Sequence, residues 1–391
     1  MDHFVIMAEA HSWQGHSDHV ITLAFSWLGA LQVLSFWASG SSLNPMAICL
    51  ERMIWKVSTK VLFVCLHRHK IIRVHVNSKD SAQVSQTKTT IMATSIRTIV
   101  HTKSGAKAEV HPFGATVTSF KTAEGREMLF LSRDAKMDGS KAIRGGIPLV
   151  FPQFGQPDTA MPQHGFLRKN EWEIDESSAY DSVDDAGLSF VLKLANVRDA
   201  RGGRWDAETK YDCTVVYTVK VGPKTLTTDL TIKNTGNVAF PFQTLLHTYY
   251  GVANHEALDA KSCNVVGLEG YFVVDKVSGE EYTQDDKPIS IEGNVDRVYN
   301  PPAGKKSVEV TILTGSNTSA KLSASGKVDG QDVSVSAVVW NPHKEKAAAM
   351  SDFGSDQYVD MICVEPGILS DVPELEAGKE CSLIQHITAQ T

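Results

Sequence analysis

The chain has 391 residues, 42% of them hydrophobic and 21% charged, so it can bury a sizeable core, and wholesale disorder, a collagen-like repeat and a coiled coil are excluded. Its 38 basic and 45 acidic side chains leave a formal net charge of -7, which supplies no cationic field for nucleic acid. The six cysteines include no C-x-x-C pair and no metal-ligand spacing, the pattern of scattered reduced thiols in a cytosolic protein.

No charged residue occurs between Val20 and Leu50. Residues 20–38 (VITLAFSWLGALQVLSFWA) are long enough to cross a bilayer as a helix, although Thr22, Ser26, Gly29, Gln32 and Ser35 dilute them. Asp2, Glu9 and Asp18 precede the segment without a basic region, so it is a poor secretory signal. Arg52, Lys56, Lys60, Arg68, Lys70 and Arg73 follow it and would hold the C-terminal side in the cytosol if it inserts. Residues 1–91 are therefore read as an N-terminal extension with three open alternatives. It is a signal anchor, a disordered or weakly helical tail, or sequence missing from the mature protein, with Met92 as a natural start. A cytoplasmic protein is expected, or else one tethered by 20–38 with its catalytic part in the cytosol; only that segment would touch a membrane.

From about residue 95 the pattern is that of β-strands. Val215, Tyr217, Val219 and Val221 share one strand face, and after the Gly222-Pro223 turn Leu226, Leu230 and Ile232 share the next. Residues 333–340 alternate in the same way, and short β-rich runs recur at 95–102, 108–120, 188–195, 307–313, 358–364 and 382–388. Turn clusters such as AEGRE, NTGN and PPAGKK separate them. KEKAAAM (344–350) is the one short helical exception. Many short strands without a linker predict a single all-β domain over 92–391, a large antiparallel sandwich.

Four segments place polar groups beside turns or strand ends. In RGGIPLVFPQFG (144–155), glycines let the backbone approach a ligand and Arg144 offers a planar fork suited to carboxylate or phosphate; on spacing alone a plain turn with a surface arginine is favoured. MPQHGFLRKNEWEI (161–174) offers His164 and Arg168 from one loop, against a capping histidine and a solvated arginine. In FPFQTLLHTYYGV (240–252), His247 sits in a strand among aromatics, either as a satisfied core residue or as a general acid. In YVDMICVEPG (358–367), Glu365 ends an apolar strand, a costly place for a carboxylate unless it is used. No Gly-rich dinucleotide loop, Walker loop, HExxH or G-x-S-x-G elbow is present.

Taken together, RGGIPLVFPQFG, PQHGFLR, LLHTYYGV and CVEPG resemble the motif series of the glucose-6-phosphate 1-epimerases, the hexose-6-phosphate mutarotases of the aldose 1-epimerase superfamily. GNVDRVY (293–299) and VVWNP (338–342) resemble further family elements. The resemblance covers about 95–390 and none of 1–91. It implies a galactose mutarotase-like β-supersandwich, no metal and no cofactor. It also implies a small-molecule sugar phosphate as substrate; a monomer is expected. Residue by residue it makes His247 the general acid and Glu365 the general base, with His164 and Asp296 on sugar hydroxyls and Arg144 and Arg168 on the 6-phosphate. A non-catalytic sugar-phosphate-binding module and an epimerase for unphosphorylated aldoses are the alternatives. The matched acid and base disfavour the first, and the two arginines disfavour the second.

Overall fold

The computed structural model describes residues 96–197, Trp205 and 210–390, and within the first ninety residues only backbone strands between Val5 and Val76. By its contacts the chain forms two units, Met1–Met92 and Ala93–Thr391. In the first, Asp18–Trp27 and Ala30–Ser39 pair as antiparallel strands. The 20–38 stretch, long enough for a membrane-crossing helix, is thus not one continuous helix. Among the described residues no helix is long and apolar enough to cross a membrane.

The second unit is an antiparallel β-sandwich, as expected. One sheet runs, edge to edge, through Leu149–Val150, Thr244–Leu246, Met361–Ile368, Ser336–Asn341, Val295–Asn300, Phe272–Asp275 and Glu281–Thr283, with Tyr249–Gly251 also paired to Met361–Ile368. The other runs through Glu173–Asp181, Ala186–Lys193, Cys213–Val221, Thr225–Asn234, Glu380–Gln390, Ser319–Val328, Val308–Leu313 and Val265–Val266. The hairpin read at Gly222-Pro223 forms as expected, with Val215 paired to Ile232 and Val221 to Leu226. Every second residue of Cys213–Val221 is buried, the signature of a strand with one face in the core. The apolar run at 108–120 is instead two strands, Lys107–His111 and Thr116–Lys121. Pro112 has no N–H for a ladder and Gly114 turns the chain at φ 75°.

Strand parity decides what faces the site. In the first sheet Ile362 and Val364 point into the inter-sheet core with Val339, Ala337 and Tyr299. Their neighbours Met361 and Cys363 point the other way and pack with Val338, Trp340 and Val298 in a second apolar cluster. Ser336–Asn341 is buried on both faces for this reason. Val338 and Trp340, on the outer face, also help to wall a pocket. The helix His343–Ala349 follows directly, where the helical exception was read. Asn341 accepts from the His343 amide and donates to the Tyr358 and Met361 carbonyls, so the exit from the strand is fixed.

Candidate active site

All six residues singled out from the sequence line one cavity of about 410 Å³ on the outer face of the first sheet: Arg144, His164, Arg168, His247, Asp296 and Glu365. Phe154, Lys276, Trp340 and Lys346 are among the other residues of its wall.

His247 and Glu365 meet through register. Leu245 pairs with Gly367 and Tyr249 with Cys363, so an unbroken count sets residue 247 opposite 365. His247 itself lies in the gap between Thr244–Leu246 and Tyr249–Gly251, not inside a strand as read from the sequence. The gap has a cause: Pro366, opposite Leu246 by the same count, has no N–H to give the Leu246 carbonyl, which accepts from the Thr248 amide instead, while the His247 amide donates to the Pro148 carbonyl on the other side. His247 Nδ1 stands 3.1 Å from Glu365 Oε1. The imidazole lies flat on the Tyr249 ring, 4.8 Å between centroids and 12° between planes, with Trp340 and His164 edge-on.

Glu365 is 1% exposed, and neither of its oxygens accepts a hydrogen bond from the described residues. Burial, reinforced by Asp296, holds its carboxyl well above the usual carboxylate range against the pull of Lys276 and Arg168. Burial, then Arg168 and Arg144, hold His247 well below the ordinary imidazole value. In the free site both influences favour the neutral pair, a protonated Glu365 beside a neutral His247.

Two loops bring the arginines. Gly145 and Gly146 follow Arg144; a Cβ on Gly146 would stand 2.0 Å from the Val117 carbonyl oxygen, so only glycine lets the chain pass there. Arg144 Nη1 donates to the Tyr249 hydroxyl at 3.1 Å and Nη2 approaches Asp352 at 3.3 Å. Burial lowers the Arg144 guanidinium's pKa, but Tyr249 and Asp352 more than offset it and keep the charge. Arg168 sits in the turn Leu167–Lys169 and donates to the Gln163 carbonyl at 2.9 Å. Burial and the nearby Arg144 push it down to about 10. Nε of each guanidinium is buried without a partner among the described residues. His164 adopts a left-handed φ of 63° and its Nδ1 accepts from the Gly155 amide. That bond leaves the ring proton on Nε2, as a donor. Burial, then Arg168, keep this imidazole neutral.

Across the cavity, Asp296 pairs with Trp340 in the sheet and the Lys276 amide donates to the Asp296 carbonyl. Lys346, from the short helix, stands 3.6 Å from Asp296 Oδ2, and Lys276 Nζ lies 4.1 Å over the Phe154 ring. Lys276, Lys346, Tyr249 and Asp352 were not singled out from the sequence. No motif marks the two lysines; Asp352 acts by holding Arg144, and Tyr249 by holding Arg144 and stacking on His247. The Nδ1, Sγ and carboxylate atoms of His247, Cys363 and Glu365 lie within 4.8 Å of one another. Burial keeps the thiol and carboxyl protonated, and Arg144, Arg168 and Lys276 surround the site with positive charge. The donor set fits an anionic ligand better than a divalent cation.

A sequence profile described as aldose 1-epimerase matches residues 97–388. The chain belongs to the aldose 1-epimerase family. A protein of Cenchrus ciliaris named "Putative glucose-6-phosphate 1-epimerase" is 33% identical over 274 residues, 70% of this chain and 78% of that one. One of Escherichia coli K12 with the same name is 27% identical over 280 residues, 70% and 84% of the two chains. A solved structure described as a putative mutarotase from Salmonella typhimurium superposes with a TM-score of 0.60 at 22% identity, covering 87% of this chain and 94% of that one. The family carries the epimerase, or mutarotase, chemistry of an isomerase acting on sugars, and the fold is galactose mutarotase-like.

Proposed function

We propose that the protein is a hexose-6-phosphate mutarotase that interconverts the α and β anomers of D-glucose 6-phosphate, with catalysis residing in residues 92–391. The observation that carries the substrate is the pair of guanidiniums, Arg168 buried and Arg144 half-buried, lining the same cavity as His247 and Glu365. Arg144 has Asp352 as its acid. Arg168 has no carboxylate within ion-pair distance among the described residues. Two forks with spare donors suit a phosphate dianion.

Anomer exchange needs the proton on the C1 hydroxyl removed and the ring oxygen O5 protonated. The ring opens to the aldehyde, the C1–C2 bond rotates, and closure on the opposite face reverses the steps. Glu365 as base and His247 as acid supply both transfers, each worth roughly 10²–10⁴ in rate. His164, a donor through Nε2, and Asp296, an acceptor, hold sugar hydroxyls. A grip on the 6-phosphate, remote from C1, positions the substrate and leaves the aldehyde free to turn.

NMR exchange spectroscopy on glucose 6-phosphate and on glucose tests this reading. Exchange well above the spontaneous rate is expected for the phosphate ester; its absence would leave a binding module. Arg144→Ala should raise KM for glucose 6-phosphate far more than for glucose, and equal effects on both sugars would remove the phosphate from the assignment.

A further inference from the structure

The free site is charged for binding and uncharged for catalysis. Acid catalysis at O5 requires a protonated His247, yet two guanidiniums line the cavity it shares. Arg144 reaches the imidazole through Tyr249, whose hydroxyl accepts from Nη1 while its ring lies on His247. Protonating His247 here would add a third cation to one buried space.

We propose that the substrate's phosphate is itself a catalytic group: seated on Arg144 and Arg168, it offsets their charge and draws the Glu365 proton across the 3.1 Å contact onto His247 Nδ1. This rests on the reading of the chain as a hexose-6-phosphate mutarotase. The step moves one proton and no electrons. The O–H bond of the Glu365 carboxyl breaks and an N–H bond forms at Nδ1, leaving a carboxylate beside an imidazolium. One transfer thus arms both residues: the carboxylate takes the proton of the C1 hydroxyl, and the imidazolium gives the proton on Nε2 to O5.

The groups facing His247 single out the switch. Glu365 and Cys363 come from Met361–Ile368, Trp340 from Ser336–Asn341, His164 and Arg168 from the 151–169 loop, Tyr249 from Tyr249–Gly251, and Arg144 from the glycine bend. Asp296 and Lys276 face Glu365, and Lys346 is answered by Asp296. The charges that weigh directly against a cationic His247 are those of Arg168 and Arg144, the pair a phosphate would meet.

An anchor lowers KM; a switch also raises kcat, and should do so when detached from the sugar. The test is turnover of saturating glucose by the full chain with and without phosphite dianion, beside glucose 6-phosphate, followed by NMR exchange. Phosphite is expected to raise glucose turnover by about tenfold or more, the effect of moving His247 by at least one pKa unit. In ¹⁵N spectra, the His247 ring signals, assigned by their loss in His247→Ala, should move from neutral imidazole to imidazolium as phosphite binds. If phosphite leaves glucose turnover unchanged or lowers it while glucose 6-phosphate is converted, the phosphate is only an anchor and the proposal falls, with the mutarotase reading intact. Faster turnover without the imidazolium signature also overturns it. Exchange of neither sugar overturns the mutarotase reading and this inference with it.

Discussion

In the proposed mechanism Glu365 and His247 hold one proton between them, and their surroundings bear on where each limb of the pH profile comes from. Glu365→Gln cannot take the C1 proton and His247→Ala cannot protonate O5, so each should lose roughly 10²–10⁴ in kcat, read by NMR exchange on a variant whose circular dichroism matches the parent. An ionised glutamate beside a protonated histidine, the simplest sequence expectation, would put the basic limb on the histidine. Burial and the surrounding charges favour a different assignment. Because His247 is held low and Glu365 high, the pair gains its second proton below the ordinary imidazole value and loses its last one above the ordinary carboxylate range. Activity spans the interval between, and both limbs belong to the pair. Asp296 is the charge that raises Glu365, so Asp296→Asn should move the basic limb of kcat to lower pH. An unmoved limb would show that Asp296 serves substrate hydroxyls alone.

At the level of strands and loops, the site depends on backbone paths that side chains would block. Gly165 sits between His164 and the Arg168 turn at φ 71°, and a Cβ there would stand 1.8 Å from the Phe151 carbonyl oxygen. The loop is pinned from beneath by edge-on contacts of Phe151 with Phe166, Trp205 and Phe240, each contributing about 0.5–1.5 kcal/mol beyond its buried area. It cannot simply swing away. Gly165→Ala should therefore destabilise the protein by about 1–3 kcal/mol through the left-handed strain alone, seen as a lower Tm, and raise KM for glucose 6-phosphate as His164 and Arg168 shift together. An unchanged KM would mean that the loop adjusts without moving them. These loops were legible in the sequence because glycine and proline punctuate them: RGGIP and QHGFLR advertise close approach and a turn before any coordinates are known. The hairpin at Gly222-Pro223 was legible through its period-two pattern. The meeting of His247 with Glu365 was not, since a register between strands more than a hundred residues apart has no local signal. Lys276 and Lys346 escaped notice for the same reason. Each is an ordinary charge until Phe154, Trp340 and Asp296 are folded around it.

For the molecule as a whole, the sandwich supplies a rigid floor and bears the strain of an acid buried in it without hydrogen bonds from the described residues. In the unfolded chain the Glu365 carboxyl titrates near 4.3, roughly the free-peptide value, whereas in the folded protein it keeps its proton to much higher pH. Between those two values the folded state binds more protons than the unfolded one, so stability falls as pH rises through the interval. His247 acts in the opposite sense: its folded value is depressed, so its contribution grows with pH up to about 6.5. It is present in both the parent and Glu365→Gln, so the difference between them isolates the carboxyl. Glu365→Gln should match the parent's Tm near pH 4 and exceed it by a margin that widens toward pH 8, while anomer exchange is lost. Thermal unfolding of the two proteins across that range decides it. A constant difference would mean that Glu365 is as well satisfied in the fold as in water, and that the sheet holds no acid raised for catalysis at the expense of stability.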